Sequence, residues 1–122
     1  MNNSSRLAGL AAAILSLSAV ILAALGSHLV DMNGMQATWQ TALITHLFNA
    51  AALMGLAALL ARSEPPPLKW GTWLIVFGTI VFCGSIYLHI ITGYRIPKVT
   101  PFGGLSMMAG WALVVLAFLR KS

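Results

Sequence analysis

Four uncharged apolar runs occupy most of this chain of 122 residues and limit what it can fold into. Each run is close to the roughly 20 residues that a helix needs to cross the hydrocarbon core of a bilayer. Only 7% of the residues are charged, whereas a soluble domain carries about 25%. We therefore predict an all-α membrane protein, a single four-transmembrane-helix bundle over residues 1–122. The predicted spans cover about residues 7–28, 41–61, 70–92 and 102–119.

The first apolar run also resembles a secretory signal, since it follows Arg6 and precedes small residues. It is longer than the roughly 7–15 residues of a signal core. We therefore expect a retained first helix.

Basic residues predict the orientation of the bundle. With four spans, both termini and the loop at 62–69 lie on one side, which carries five Lys and Arg residues. The other side carries Arg95 and Lys98. Because cytoplasmic loops are enriched in Lys and Arg, we expect both termini in the cytoplasm, with the protein in the cell (inner or plasma) membrane. The net charge of +5 lies in loops and ends, which favours anionic lipid headgroups over nucleic acid as its partner.

A Thr-Pro-Phe-Gly-Gly corner at residues 100–104 leads into the fourth run. Pro101 biases the preceding residue away from the α conformation, so we expect the helix to begin at or just after Pro101 and not before Thr100. The two glycines that follow remove side chains and allow another backbone to come close. We therefore predict that helix packing involves four glycines: Gly84, Gly103, Gly104 and Gly110.

Small residues recur along two of the predicted helices. In the first run they are spaced by three or four positions from Gly9 to Gly26, which places them on one helix face. In the third run they recur every seven residues, at Gly71, Gly78, Ser85 and Thr92. Such faces allow close packing between membrane helices.

Polar residues collect at the predicted outer ends of the helices. His28 ends the first helix, His46 starts the second and His89 ends the third. Three imidazoles at one level could bind a metal or ligate a haem, or could each lie at the headgroup boundary. His46 lies inside its span and shares a face with Asn49, three residues on. We group the candidate site residues as a polar cap: His28, His46, Asn49, Tyr87 and Thr100.

Catalytic patterns are missing from the sequence. The two carboxylates, Asp31 and Glu64, lie in loops. The one cysteine, Cys83, cannot form an internal disulfide and excludes a membrane thiol oxidoreductase that works with cysteine pairs. The spans hold no Asp, Glu, Lys or Arg, which disfavours a proton-coupled carrier. We predict no enzyme, no cofactor and no bound metal.

Trp111 lies in the middle of its span, so we expect its indole N–H to face a partner inside the bundle.

Three motifs carry a resemblance that covers nearly the whole chain: Phe82-Cys-Gly-Ser-Ile-Tyr87, Thr100-Pro-Phe-Gly-Gly104 and Ala109-Gly-Trp111. They resemble the small membrane proteins grouped as domain of unknown function 423, which include YgdD-like and transmembrane protein 256-like proteins. The resemblance implies four spans and no established activity. The family pattern in helix two is a Gln followed three residues later by a His, whereas His46 and Asn49 stand here. His89 replaces an apolar residue of the family, so the resemblance adds nothing to a three-histidine metal site.

Two functions remain open at this point. The first is a structural or interaction protein whose polar cap bonds across helices, with the lipid bilayer and a second copy or another membrane protein as partners. The alternative is a carrier or binding protein that takes a small ligand, metal or haem in the same cap.

Overall fold

The computed structural model describes residues 2–28, 34–93 and 99–119. Within these residues the chain forms four α-helices: α1 (Asn3–His28), α2 (Gln36–Arg62), α3 (Pro66–Thr92) and α4 (Val99–Leu119). All four are long and apolar enough to cross a membrane. At 1.5 Å per residue they are about 31 to 40 Å long, against a hydrocarbon core of about 30 Å. The predicted all-α bundle of four membrane helices is confirmed. Its orientation stays a prediction.

The α2–α3 connection is short because prolines end one helix and begin the next. Ser63, Glu64 and Pro65 form the link, and Pro65 is extended at φ −61° and ψ 140°. Pro66 then starts α3, where the missing N–H has no helical partner to lose. At the other end, α3 stops at Gly93, whose φ of +76° is left-handed. Its N–H bonds the His89 carbonyl at 2.8 Å.

The start of α4 differs from the expectation that no helix precedes Thr100. The helix begins at Val99, two residues before Pro101. This places Pro101 in the first turn, where backbone N–H groups lack intrahelical acceptors, so proline removes no helical hydrogen bond. The bias on the residue before proline is a preference, and at Thr100 the helix overrides it.

The helices pack in chain order, each antiparallel to the next. α1 packs on α2, α2 on α3 and α3 on α4, with a smaller contact between α1 and α3. α2 and α3 are the central pair, and Leu53, Leu60 and Ile75 on them are fully buried. α1 and α4 are peripheral and expose large apolar side chains outward, including Leu10 and Leu17 on α1 and Phe102, Met108 and Phe118 on α4. Such surfaces suit acyl chains rather than water.

Small residues of α1 are buried in the bundle. Ala12 and Ala19 of the predicted face are 0% exposed, and so is Ala8, which the spacing did not include. Near the end of α1, Trp39 lies directly against Gly26, where an added Cβ would stand 2.7 Å from Cε2 of the indole. A side chain at this position would displace Trp39.

The α3–α4 contact is a backbone-to-backbone approach at two pairs of glycines. A Cβ added to Gly110 would lie 2.7 Å from the carbonyl oxygen of Gly71. Two helical turns away, a Cβ at Gly78 would lie 2.6 Å from the carbonyl oxygen of Gly103. Ser106, between them on α4, donates a hydrogen bond to the Leu74 carbonyl at 2.9 Å. Glycine is required here because any side chain would meet the partner's backbone.

Two of the four glycines assigned to helix packing leave room for a side chain. A Cβ at Gly104 would make an ordinary contact of 3.7 Å with the Phe82 ring. Gly84 is exposed, and an added Cβ would meet nothing within 4 Å. Its neighbour Ser85 faces α4, and a helix turns by about 100° per residue, so Gly84 points to another side. Gly103 and Gly110 are the ones at the close approach.

Candidate functional site

Buried and half-buried side chains from all four helices form hydrogen bonds across the bundle. They form what we call the core polar network: Ser18 of α1, His46 and Asn49 of α2, Thr79 and Tyr87 of α3, and Met107 and Trp111 of α4. Polar groups at membrane depth usually face the bundle and bond across helices. The network has two sets of hydrogen bonds, one around His46 and one around Asn49.

His46 joins α1 to α3 through both of its ring nitrogens. Its Nδ1 lies 3.0 Å from the Tyr87 hydroxyl, and its Nε2 lies 3.1 Å from the Ser18 hydroxyl. The Ser18 hydroxyl also donates to the Leu15 carbonyl at 3.0 Å. Full pairing of the neutral imidazole therefore has Nε2–H donating to Ser18 and Nδ1 accepting from the Tyr87 hydroxyl. The Tyr87 ring also packs on Trp39, with ring centroids 4.9 Å apart. The imidazole is thereby held between Ser18 of α1 and Tyr87 of α3.

Asn49 joins α2 to α3 and α4. Its Nδ2 donates to the Thr79 hydroxyl and to the Met107 sulfur, each at 3.0 Å. Its Oδ1 accepts a hydrogen bond from the Trp111 indole N–H at 3.2 Å. Thr79 in turn donates to the Ile75 carbonyl at 2.7 Å. The prediction that Trp111 faces a partner inside the bundle is confirmed.

The remaining members of the polar cap lie apart from this network. Thr100 shares a hydrogen bond with Ser85 at the start of α4, which closes the α3–α4 corner. His28 is exposed at the end of α1 and forms no side-chain hydrogen bond with the other described residues. The structure therefore brings together His46, Asn49 and Tyr87 and leaves His28 out, which is exposed at the end of α1.

Sequence reasoning missed Ser18, Thr79 and Met107. A signal existed for one of them: Thr72 and Thr79 are seven residues apart on α3 and both are fully buried. The serine and the methionine carry no such pattern. Their roles depend on the rotation of α1 and α4 against α2.

Every buried polar side chain in the described part of the chain is paired. No buried side-chain nitrogen or oxygen there lacks a hydrogen-bond partner. The cysteine follows the same rule, since Cys83 donates from Sγ to the Ala42 carbonyl at 3.3 Å. An unpaired polar group in a membrane interior costs several kcal/mol, so full pairing favours a single packed arrangement.

A cavity of about 220 Å³, the His46 cavity, lies beside the network between α1 and α3. His46, Tyr87 and Cys83 line one wall, and Ser18 lies on the α1 side. Gly84 also lines it, so the missing side chain of this glycine keeps the cavity open. Among the described residues, no three His, Cys, Asp or Glu side chains lie close enough to hold a metal ion.

Comparison with known proteins identifies relatives of the chain. The family model described as "Protein of unknown function (DUF423)" matches residues 22–104. The UPF0382 inner membrane protein YgdD of Escherichia coli K12 is 34% identical over 113 residues, which cover 89% of this chain and 86% of the relative. The UPF0382 membrane protein SERP0230 of Staphylococcus epidermidis RP62A is 28% identical over 112 residues, covering 88% and 91%. No solved structure matches the chain. Neither the family description nor these names point to an enzymatic activity.

Proposed function

The chain belongs to the DUF423 family, and from this premise we propose that it is a structural or interaction protein of the cell membrane. It is a small multi-pass membrane protein whose four helices contact one another in sequence. The proposal concerns what this bundle does: it holds a rigid shape and presents its outer helices to a neighbouring membrane protein or a second copy.

The full pairing of the core polar network carries the proposal. The polar side-chain atoms of His46 and Asn49 are hydrogen-bonded to side chains of the other three helices. A site that binds a polar ligand needs groups left over for that ligand, and the buried ones here are occupied. Bonds of this kind are worth about 0.6 kcal/mol each on average between membrane helices, so several together fix the arrangement of helices.

The outer faces of α1 and α4 are where a protein partner would bind. α4 presents Phe102, Leu105 and Met108, each at least 59% exposed. A photo-reactive residue at Leu105 or Met108 should give a cross-linked product of defined mass in native membranes. As a matched control, the same residue at buried Val114 of α4 should give none. If positions along both α1 and α4 yield only lipid adducts, the interaction role is wrong.

The proposed orientation places both termini in the cytoplasm. It rests on five basic residues on the terminal side against two on the other. Alkaline phosphatase fused to the C-terminus should then stay inactive, and the same reporter inserted within residues 94–98 should be active. The reverse pattern would contradict the orientation.

A second candidate, binding of a small ligand, is favoured by the His46 cavity. Because an added Cβ at Gly84 meets nothing within 4 Å, Gly84→Phe would fill the cavity and leave the α3–α4 contact intact. Native mass spectrometry should find a retained small molecule in the unmodified protein and lose it in Gly84→Phe. Metal analysis and the absorption spectrum test for metal and haem. If His46→Ala and Tyr87→Phe lower stability while no molecule is retained, the structural role is supported and the binding role fails.

A further inference from the structure

A groove of about 840 Å³ lies between the first half of α1 and the last half of α2. It lies at the end of the bundle that holds the α2–α3 link, opposite the end with Trp39. None of the core polar network lines it. The groove is therefore a different candidate binding site from the His46 cavity.

Small residues make the groove concave. Gly9 of α1 and Ala57 of α2 approach closely, so that a Cβ added to Gly9 would lie 3.8 Å from the Ala57 side chain. Ala58 and Ala61 extend this floor along α2, and larger side chains such as Leu10 form its rim. The wall is apolar for most of its length and suits a hydrocarbon chain.

The mouth of the groove is polar and positively charged. Two hydrogen bonds pin the start of α1 to α2: Asn2 Nδ2 donates to the Leu60 carbonyl at 2.7 Å, and the Ser5 hydroxyl donates to the Ala57 carbonyl at 2.9 Å. Arg6 is left exposed at the mouth, and its guanidinium forms no ion pair within the described residues. The N-terminus of α1 adds the positive end of a helix dipole.

We propose that this groove is a binding site for an anionic phospholipid. The phosphate lies on the Arg6 guanidinium near the start of α1, and one acyl chain follows the floor from Ala61 to Met54. Seven residues of helix extend about 10 Å, roughly two-thirds of the 15 Å hydrocarbon depth of one leaflet. Charge at the mouth and apolar surface below it match the order of chemical groups along a lipid. Arginine binds phosphate with paired, charge-assisted hydrogen bonds.

The test measures phospholipid binding to the purified full chain in detergent by native mass spectrometry. Phosphatidylglycerol is the anionic probe and phosphatidylcholine the zwitterionic one. We expect phosphatidylglycerol to bind more tightly. Arg6→Gln should weaken its binding at least about tenfold, because the loss of one charge-assisted hydrogen bond of the pair already has that effect. Lys69→Gln is the matched control, because it removes the same charge at the same end of the bundle without touching the groove.

A second variant tests the groove itself. Ala58 is exposed, so Ala58→Phe would fill the groove without entering the core. It should lower the affinity for both lipids, with unchanged thermal unfolding in detergent without added lipid. The proposal fails if both lipids bind equally, if Lys69→Gln and Arg6→Gln weaken binding to the same degree, or if Ala58→Phe leaves binding unchanged. A dimer that Ala58→Phe dissociates would show that a second copy occupies the groove, and would also overturn it.

Discussion

Replacing Gly103 by alanine should push α3 and α4 apart. A Cβ at this position would lie 2.8 Å from Cα of Phe82 and 2.9 Å from its Cβ. Ordinary van der Waals contact begins at 3.4 Å, so the methyl group is about 0.6 Å too close to this Cα and closer still to the backbone nitrogen of Phe82. The atom it meets is helical backbone, which cannot rotate away as a side chain would. The whole helix must therefore shift.

The size of the effect follows from two opposing contributions. Overpacking a well-packed contact costs about 1–3 kcal/mol. Alanine in place of glycine also favours a helix by up to about 1 kcal/mol. Gly84→Ala on α3 gains the same helix preference and meets nothing within 4 Å. The difference between the two variants removes the shared contribution, so Gly103→Ala should be about 1–3 kcal/mol less stable than Gly84→Ala.

The free energy of unfolding can be measured for both variants by titrating a denaturing detergent into mixed micelles and following helix content by circular dichroism. Gly110→Ala provides a repeat at the second glycine pair, where the added Cβ would lie 2.7 Å from the Gly71 carbonyl oxygen. If Gly103→Ala unfolds at the same detergent fraction as Gly84→Ala, the backbone-to-backbone contact between α3 and α4 is wrong.

Three further predictions concern the interior. Asn49→Leu leaves the Trp111 indole N–H unpaired. It should lower the free energy of unfolding, measured by the same titration, by about 1–2 kcal/mol. An unchanged value would contradict the role of Asn49. Tyr87→Phe removes only the hydroxyl bonded to His46 and should cost about 0.6 kcal/mol, with a changed His46 imidazole signal in NMR. Cys83 is 2% exposed, so a maleimide should label it only after unfolding; rapid labelling of the folded protein would contradict this burial.

The number and approximate position of the helices followed from the sequence because a bilayer imposes a length and an apolar composition on each span. Long apolar runs without charged residues leave few structures other than membrane-spanning helices. The ends of the helices were predicted less closely, because polar residues continue a helix beyond the hydrocarbon core of the bilayer. α2 thus begins at Gln36, five residues before the predicted span.

Contacts between helices could be predicted only in part. The glycine and alanine spacing identified the faces of α1 and α3 that pack, and Trp111 was expected to have an interior partner. Gly84 and Gly110 look alike in sequence, yet one is exposed and the other is buried against Gly71. Which helix meets the glycine face of α4, and where Ser18 lies along α2, depend on the rotation and offset of packed helices, which no single-helix pattern contains.

Disulfide formation between α3 and α4 in native membranes tests the account most directly. The Ser85 and Thr100 hydroxyls are hydrogen-bonded to each other. In a Cys83→Ser background, Ser85→Cys with Thr100→Cys should therefore oxidise readily to an intramolecular disulfide, whereas Gly84→Cys with Thr100→Cys should not. Failure of the first pair to form the bond, or equal formation by the second, would contradict the packing of α4 on α3.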